Sequence, residues 1–453
     1  MMRLLSASVV LLFTASAAEA TDKPRLIVTT DIGGDPDDQQ SLIRLLHHAA
    51  DFEIEGLIAS AAGVIGELSE DKTRPELIRE IVEAYGKVQP HLRLHDPGFP
   101  PAKELLERVT SGNPVRGVKN IGDGKDTDGS RLIAAAVDRN DPRPVNVAIW
   151  GGSTELAQAL WTARKTRTPE GLKAFLAKLR VYSIGHQDDT GPWIVENFPS
   201  LHYVLPMAPP KRDKREAAYR GMYLGGDESL TSREWVDRNL RKDHGPLGAL
   251  FPTRTWTEPN RNGCLKEGDT PSWFHFLPIG LGDPEHPEWG GWGGRFKREK
   301  GGLYRDGPDT VGSETHVRAS VYRWRPAYQS EFAARADWCV KPFAEANHPP
   351  HVKLNGDSTV NVLRLNAKPG ETLKLSAEGT RDPDGHAVTY RWWVYREAGT
   401  YAKPVTLADS ATSAASVMLP EDATGASVHL VLEVTDRGEP PITRYRRAVI
   451  EVK

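Results

Sequence analysis

The chain has 453 residues, 39% hydrophobic and 26% charged, an ordinary globular composition that excludes a disordered or fibrous polymer. Its 58 Lys and Arg against 61 Asp and Glu give a formal net charge of -3, so it carries no basic field for nucleic acid or an anionic membrane. The length suits two domains, and only two cysteines, Cys264 and Cys339, exclude a disulfide framework while leaving one bridge between them open.

The N-terminus reads Met-Met-Arg3, an apolar stretch over 4–18, then Ala18-Glu19-Ala20. That order predicts a signal peptide cleaved after Ala20 and a periplasmic or secreted mature protein. The apolar core is short for a bilayer, and no later segment approaches the length of a membrane helix.

The apolar run at 26–28 predicts a strand, followed by Thr30-Asp31-Ile-Gly-Gly-Asp35-Pro-Asp37-Asp38-Gln-Gln-Ser41. Apolar residues at 42, 43, 45, 46, 49 and 50 then predict a helix, and 52–59 a second buried strand. Further along, a helix is expected from Pro75, another over 130–137, and strands over 145–150 and 179–184. Between those strands, Gly151-Gly152-Ser153-Thr154 turns into a helix, with Ser153 or Thr154 as N-cap. Strands alternating with helices predict an α/β, doubly wound, mainly parallel sheet over 21–345. Beyond residue 210 the pattern weakens into Gly, Pro and Trp, which reads as functional loops or lids. From Val352 short alternating runs (372–376, 388–395, 428–434, 448–452) predict an immunoglobulin-like β-sandwich over 349–453. Trp392 and Trp393 fall on opposite faces, one core and one exposed. Asp382-Pro-Asp384-Gly resembles turns of polycystic-kidney-type and cadherin-like modules, some of which bind calcium, but is read as a plain hairpin turn.

Four carboxylates within eight residues, where a strand feeds a helix, sit at the sheet edge where open α/β folds hold ligands. Like charges so crowded repel unless a cation lies between them, and hard oxygen donors on a flexible turn suit calcium. A solvated helix-capping turn is the plainer reading. Trp193, Trp289 and Trp292 suit either stacking on sugar rings or packing. His186 suits either proton donation to a leaving group or a structural role. Asp123, Asp126 and Asp128 lack EF-hand spacing and read as a helix-capping loop.

The strand, the turn Thr-Asp-x-x-x-x-x-Asp-Asp and the motif Ile149-Trp150-Gly-Gly-Ser-Thr154-Glu-Leu-Ala resemble the calcium-dependent nucleoside hydrolases. Together with Gln187-Asp188-Asp189-Thr-Gly-Pro-Trp193-Ile and Glu267-Gly-Asp269-Thr-Pro-Ser, they look like a secreted bacterial branch described as cellulose-binding, which adds a C-terminal β-sandwich. The resemblance implies Ca2+ held by Asp31, Asp38, the Trp150 carbonyl and Asp269. It implies Asp31 and Asp38 as catalytic residues, with Asp31 as base toward a water that attacks an anomeric carbon. Asp37 would bind a sugar hydroxyl, and Asp35, Trp193, Asp188 and His186 complete the substrate-binding set. Three departures stand out: the turn is two residues longer and adds Asp35, Gly268 replaces a His that helps a base leave, and Glu155 replaces an Asn. The ligand role is therefore open between Asp31 and Asp35. The expectation is an exported calcium-dependent hydrolase of a nucleoside, furanoside or other small glycoside. Its alternative is a non-catalytic cellulose- or carbohydrate-binding protein that keeps the fold and ion. The partner is a small glycoside or polysaccharide, with no nucleic acid and no membrane, and a homo-oligomer is compatible with the composition.

Overall fold

The computed structural model describes residues 23–62, 71–255 and 263–453, so the expected signal peptide lies outside the described residues. The first strand, β1 (Arg25–Thr30), is buried along its whole length, as a central parallel strand covered on both faces must be. It leads through the acidic turn into α1 (Asp37–His47), whose buried Leu42, Ile43, Leu45 and Leu46 carry the helical spacing. The chain continues through β2 (Glu53–Ala59), α2 (Pro75–His95) and β3 (Val109–Ser111). After β4 (Val145–Ile149) come β5 (Leu179–Ser183) and β6 (His202–Leu205), then β7 (Phe296–Arg298) and β8 (Leu303–Asp306).

These strands form one eight-stranded sheet in the order β3-β2-β1-β4-β5-β6-β8-β7, parallel except for the edge strand β7. Winding runs from β1 outward to β3 on one side and from β4 outward to β6 on the other, so the order reverses between β1 and β4. A crevice opens at the carboxyl ends of strands at such a reversal. Thr29 pairs with Ile149 in register, and the N–H of Trp150 donates to the carbonyl of Thr29 at 2.9 Å. The acidic turn after β1 and the glycine turn after β4 therefore emerge side by side.

Two pieces extend beyond the sequence reading. The helix starting at Pro75 runs to His95 with Pro90 inside it. A 14-residue helix, Arg325–Trp338, lies in the region expected to be irregular. It buries polar and apolar residues alike, including Arg325, Gln329, Glu331 and Phe332, so it has no apolar stripe for a sequence pattern to reveal.

The C-terminal sandwich pairs a four-stranded sheet with a three-stranded one. The first holds β11 (Leu363–Ala367), β17 (Thr443–Val452), β16 (Ser427–Asp436) and β13 (Val388–Val394); the second holds β12 (Thr372–Ser376), β15 (Ala414–Met418) and β14 (Thr406–Ala408). Earlier in the chain, after β8, β9 (Asp309–Val311) and β10 (Glu314–His316) form a small separate hairpin ahead of the sandwich. Trp392 is core, as alternation requires, but Trp393 meets Trp324 of the first domain at 5.9 Å rather than pointing to solvent. Trp292 also belongs to this junction, its indole N–H donating to the Tyr445 hydroxyl at 3.3 Å. Cys264 and Cys339 are both buried and free, which answers the open question of their pairing. No described helix is long and apolar enough to cross a membrane.

Candidate active site at the reversal of the sheet

The turn after β1 delivers Asp31, Asp35, Asp37 and Asp38 to the crevice, and the segment 264–270 closes it from above. That segment is fixed by one face of α1. Gln40 accepts from the N–H of Lys266 (2.8 Å) and Glu267 (3.2 Å) and donates to the carbonyl of Cys264 (3.0 Å). The Thr270 hydroxyl donates to Ser41 Oγ at 3.1 Å. Arg44 forks onto Glu267 with two 2.6 Å contacts, both side chains fully buried. Glu267 sits at φ 40°, uncommon for a residue with a side chain, and Arg44 holds it there. The Asp-Asp-Gln-Gln-Ser run thus presents carboxylates with its first two residues and anchors the distant Asp269 with the next ones.

Asp37, Asp38 and Asp269 each bring a carboxylate oxygen within 4.8 Å of the others. Asp38 accepts from the Thr30 hydroxyl, while Asp269 Oδ2 is buried with no hydrogen-bond partner. Burial first, then the charges of its neighbours, pushes Asp269 and Asp38 well above the usual carboxylate range. Burial raises Asp37 to about 7; Arg220 opposes this and Asp31 adds to it. An oxygen-binding cation fits such a set.

Asp31 lies beside this trio, raised by burial but opposed by Arg116, whose Nη2 stands 2.5 Å from Asp31 Oδ2. The glycine turn makes room for it, because a Cβ on Gly151 would fall 2.7 Å from the Asp31 side chain. Asp35 pairs with the Lys266 ammonium, which also stands 3.8 Å from Asp37. Burial lowers Lys266 to about 8. The Trp150 carbonyl accepts from Gln187 Nε2 and keeps a second lone pair. At Gly268 a Cβ would stand 3.2 Å from Asp37 Oδ2, so the missing side chain leaves space directly over the trio.

The remaining expected residues lie farther out. Asp188 sits under the glycine turn, where a Cβ on Gly152 would reach its Oδ2, and it accepts from the Thr154 hydroxyl (3.1 Å) and the Thr190 N–H (3.0 Å). His186 packs near Tyr203 and Gly191, and burial lowers it to about 4, so it is neutral near pH 7. Trp193 does not reach the crevice: its ring packs on Phe198 at 5.6 Å and under Arg164 at 5.3 Å. Arg164 is ten residues beyond Thr154 on helix Thr154–Thr166, about 15 Å from its start. Trp289 and Trp292 are buried, Trp289 stacked on His286 and edge-on to His429 of the sandwich, so packing prevails over sugar stacking for these two, while Trp193 is only partly buried.

Arg116, Lys266 and Arg220 escaped the sequence reading, and Gln187 entered it only as part of a motif, without its contact to the Trp150 carbonyl. None follows a periodic pattern, and only the excess of negative charge in the turn signalled that cations must lie nearby. Glu155 is buried and raised by that burial to about 7, and it accepts from the Asn113 N–H at 2.9 Å, a bond that ties the helix start to the loop after β3.

Residues 25–296 match the family model described as cellulose-binding Sde182, nucleoside hydrolase-like domain, and residues 372–452 match the C-terminal domain of cellulose-binding protein Sde0182. A solved structure from Saccharophagus degradans, a nucleoside hydrolase-related hypothetical protein associated with carbohydrate metabolism, is similar at 34% identity and a TM-score of 0.80. The match covers 95% of this chain and all of that one. The PKD domain of the KIAA 1837 protein matches 20% of this chain and 81% of its own at 15% identity and a TM-score of 0.16, too slight to carry an argument. No curated protein matches.

Proposed function

The chain belongs to the cellulose-binding Sde182 family, and from that premise we propose that its nucleoside-hydrolase-like domain is an exported, calcium-dependent hydrolase of a glycosyl bond in a nucleoside, furanoside or other small glycoside. The observation that carries this reading is the convergence of Asp37, Asp38 and Asp269 around the unpartnered Asp269 Oδ2. Asp38, Asp269 and the Trp150 carbonyl are the proposed ligands, with Asp31 as the fourth. Asp35 is the weaker candidate because Lys266 already neutralises it. A bound calcium supplies positive charge at the cluster centre and makes a nearby water more acidic. Asp31, oriented by Arg116, is the group placed to accept a proton, and Asp37 is the acceptor for a sugar hydroxyl. The carboxylates also favour the positive charge that develops on a sugar ring.

A second reading, saccharide binding without turnover, is favoured by the Arg116 contact that occupies Asp31 and by Gly268. Incubating the protein with nucleosides, furanosides and cello-oligosaccharides, with calcium or with chelator, separates the two. Chelator-sensitive release of free sugar is the expected result. No release from any substrate, together with retained polysaccharide pull-down, selects the binding protein.

A further inference from the structure

A second group of carboxylates lies at the start of the sandwich, on residues whose sequence reads as a plain hairpin turn. The Asp382 side chain is 0% exposed. Its Oδ1 accepts from the N–H groups of Asp384 (3.0 Å) and His386 (2.9 Å), which is all the turn requires. Its Oδ2 is buried with no partner, and a turn gives no reason to enclose it. Asp382, Asp384 and His386 each bring a ligand atom within 4.8 Å of the others.

Asp436, at the end of β16, is 2% exposed and repeats the pattern. Its Oδ1 accepts from the N–H groups of Gly438 (2.9 Å) and Ile442 (3.0 Å) and from the Asn347 amide (2.9 Å), while its Oδ2 is also buried without a partner. Asn347 belongs to the segment that joins the two domains, and its Oδ1 stands 3.1 Å from His386 Nδ1, so one amide connects Asp436 to the cluster. Asp384 accepts from the N–H and the Nδ1 of His348 at 2.7 and 2.8 Å. Among the described residues no Lys or Arg pairs with Asp382, Asp384 or Asp436, whose ionic partners are histidines alone.

An enclosed carboxylate oxygen without a donor, as at Asp382, is costly unless a positive charge lies beside it. We propose that a hard divalent cation binds here, held by Asp382, Asp384 and His386, with Asp436 behind them through the Asn347 amide. The oxygen-rich set suits calcium or manganese, and the imidazole adds a nitrogen that manganese accepts. Because Asn347 lies in the interdomain segment, occupancy fixes that segment against the sandwich.

The test is the metal content of full-length protein, stripped with chelator, re-equilibrated with calcium or manganese and read by native mass spectrometry. One equivalent is expected to survive Asp38→Asn, which alters only the first cluster, and to vanish in Asp382→Asn and in Asp384→Asn. His386→Ala, at a half-exposed position, is expected to weaken that equivalent about tenfold. Loss of all metal in Asp38→Asn overturns the proposal without requiring any junction variant to fold. So does full metal content in a folded Asp382→Asn. A cation retained here but absent from the acidic turn upholds this site while refuting the calcium-dependent reading of the first.

Discussion

Asp269 Oδ2 is the atom that most constrains the acidic cluster, because it is enclosed, lacks a donor and faces two other carboxylates. In metal-free protein this arrangement opposes folding, so removing the charge while keeping the shape relieves it. Asp269→Asn is expected to melt at a higher temperature than the wild type in chelator and to lose about hundredfold in calcium affinity, ~2.7 kcal/mol. Calorimetric titration and thermal unfolding check both. Asp37, Asp38 and Asp269 are all raised by burial, so their folded forms hold protons that the unfolded chain releases. Their contribution to stability is present in acid and lost as pH rises, for Asp37 through about 7. The advantage of Asp269→Asn over wild type in chelator therefore widens as pH rises above the unfolded carboxyl value of 3.8. Lys266, close to Asp35 and Asp37, competes with a cation for the same field. Lys266→Gln is expected to strengthen calcium binding about tenfold, within the ~1 to 4 kcal/mol that a unit charge at 4 Å exerts near a protein surface; an unchanged dissociation constant contradicts this.

At the scale of elements, the segment 264–270 is positioned by α1 rather than by its own regularity. Glu267→Gln leaves Arg44 buried without its counter-charge and is expected to cost about 3–5 kcal/mol, measured by denaturant unfolding, and to weaken metal binding as Asp269 loses its anchor. The strand, acidic turn and α1 were legible in the sequence because an apolar run, a turn and a helical spacing follow one another without interruption. Asp269 was reachable only through the resemblance, since 231 residues separate it from Asp38 and no local pattern connects them. Helix Arg325–Trp338 escaped because its buried Arg325, Gln329, Glu331 and Arg335 erase the contrast between faces. The three tryptophans suggested as sugar platforms show the opposite limit: Gly-rich surroundings resemble a surface loop, yet Trp289 and Trp292 fill the contact with the sandwich.

At the scale of the molecule, the reversal of strand order sets the β1 and β4 turns side by side, while the sandwich packs on the first domain through Trp289, Trp292, Trp324 and Glu331. Glu331 of helix Arg325–Trp338 meets Arg444 of β17 at 2.6 and 2.9 Å and Arg335 at 2.9 Å. Burial alone would raise this carboxyl, but Arg444 and Arg335 overcome it and hold it down to about 2. A carboxylate lowered on folding adds stability that is complete above its unfolded value, near 4.5, and lost as pH falls toward 2. About 3 kcal/mol is at stake, so acid unfolding is expected to begin below pH 4.5 and to flatten in Glu331→Gln, followed by circular dichroism. The central claim, that the crevice is built around a cation, meets its most direct test in a crystal structure of the full-length protein loaded with calcium. The account predicts an ion about 2.3–2.6 Å from carboxylate oxygens of Asp38 and Asp269, with the Trp150 carbonyl in its shell. Asp38 and Asp269 bridged only by water or by the Lys266 ammonium, at saturating calcium, would contradict it.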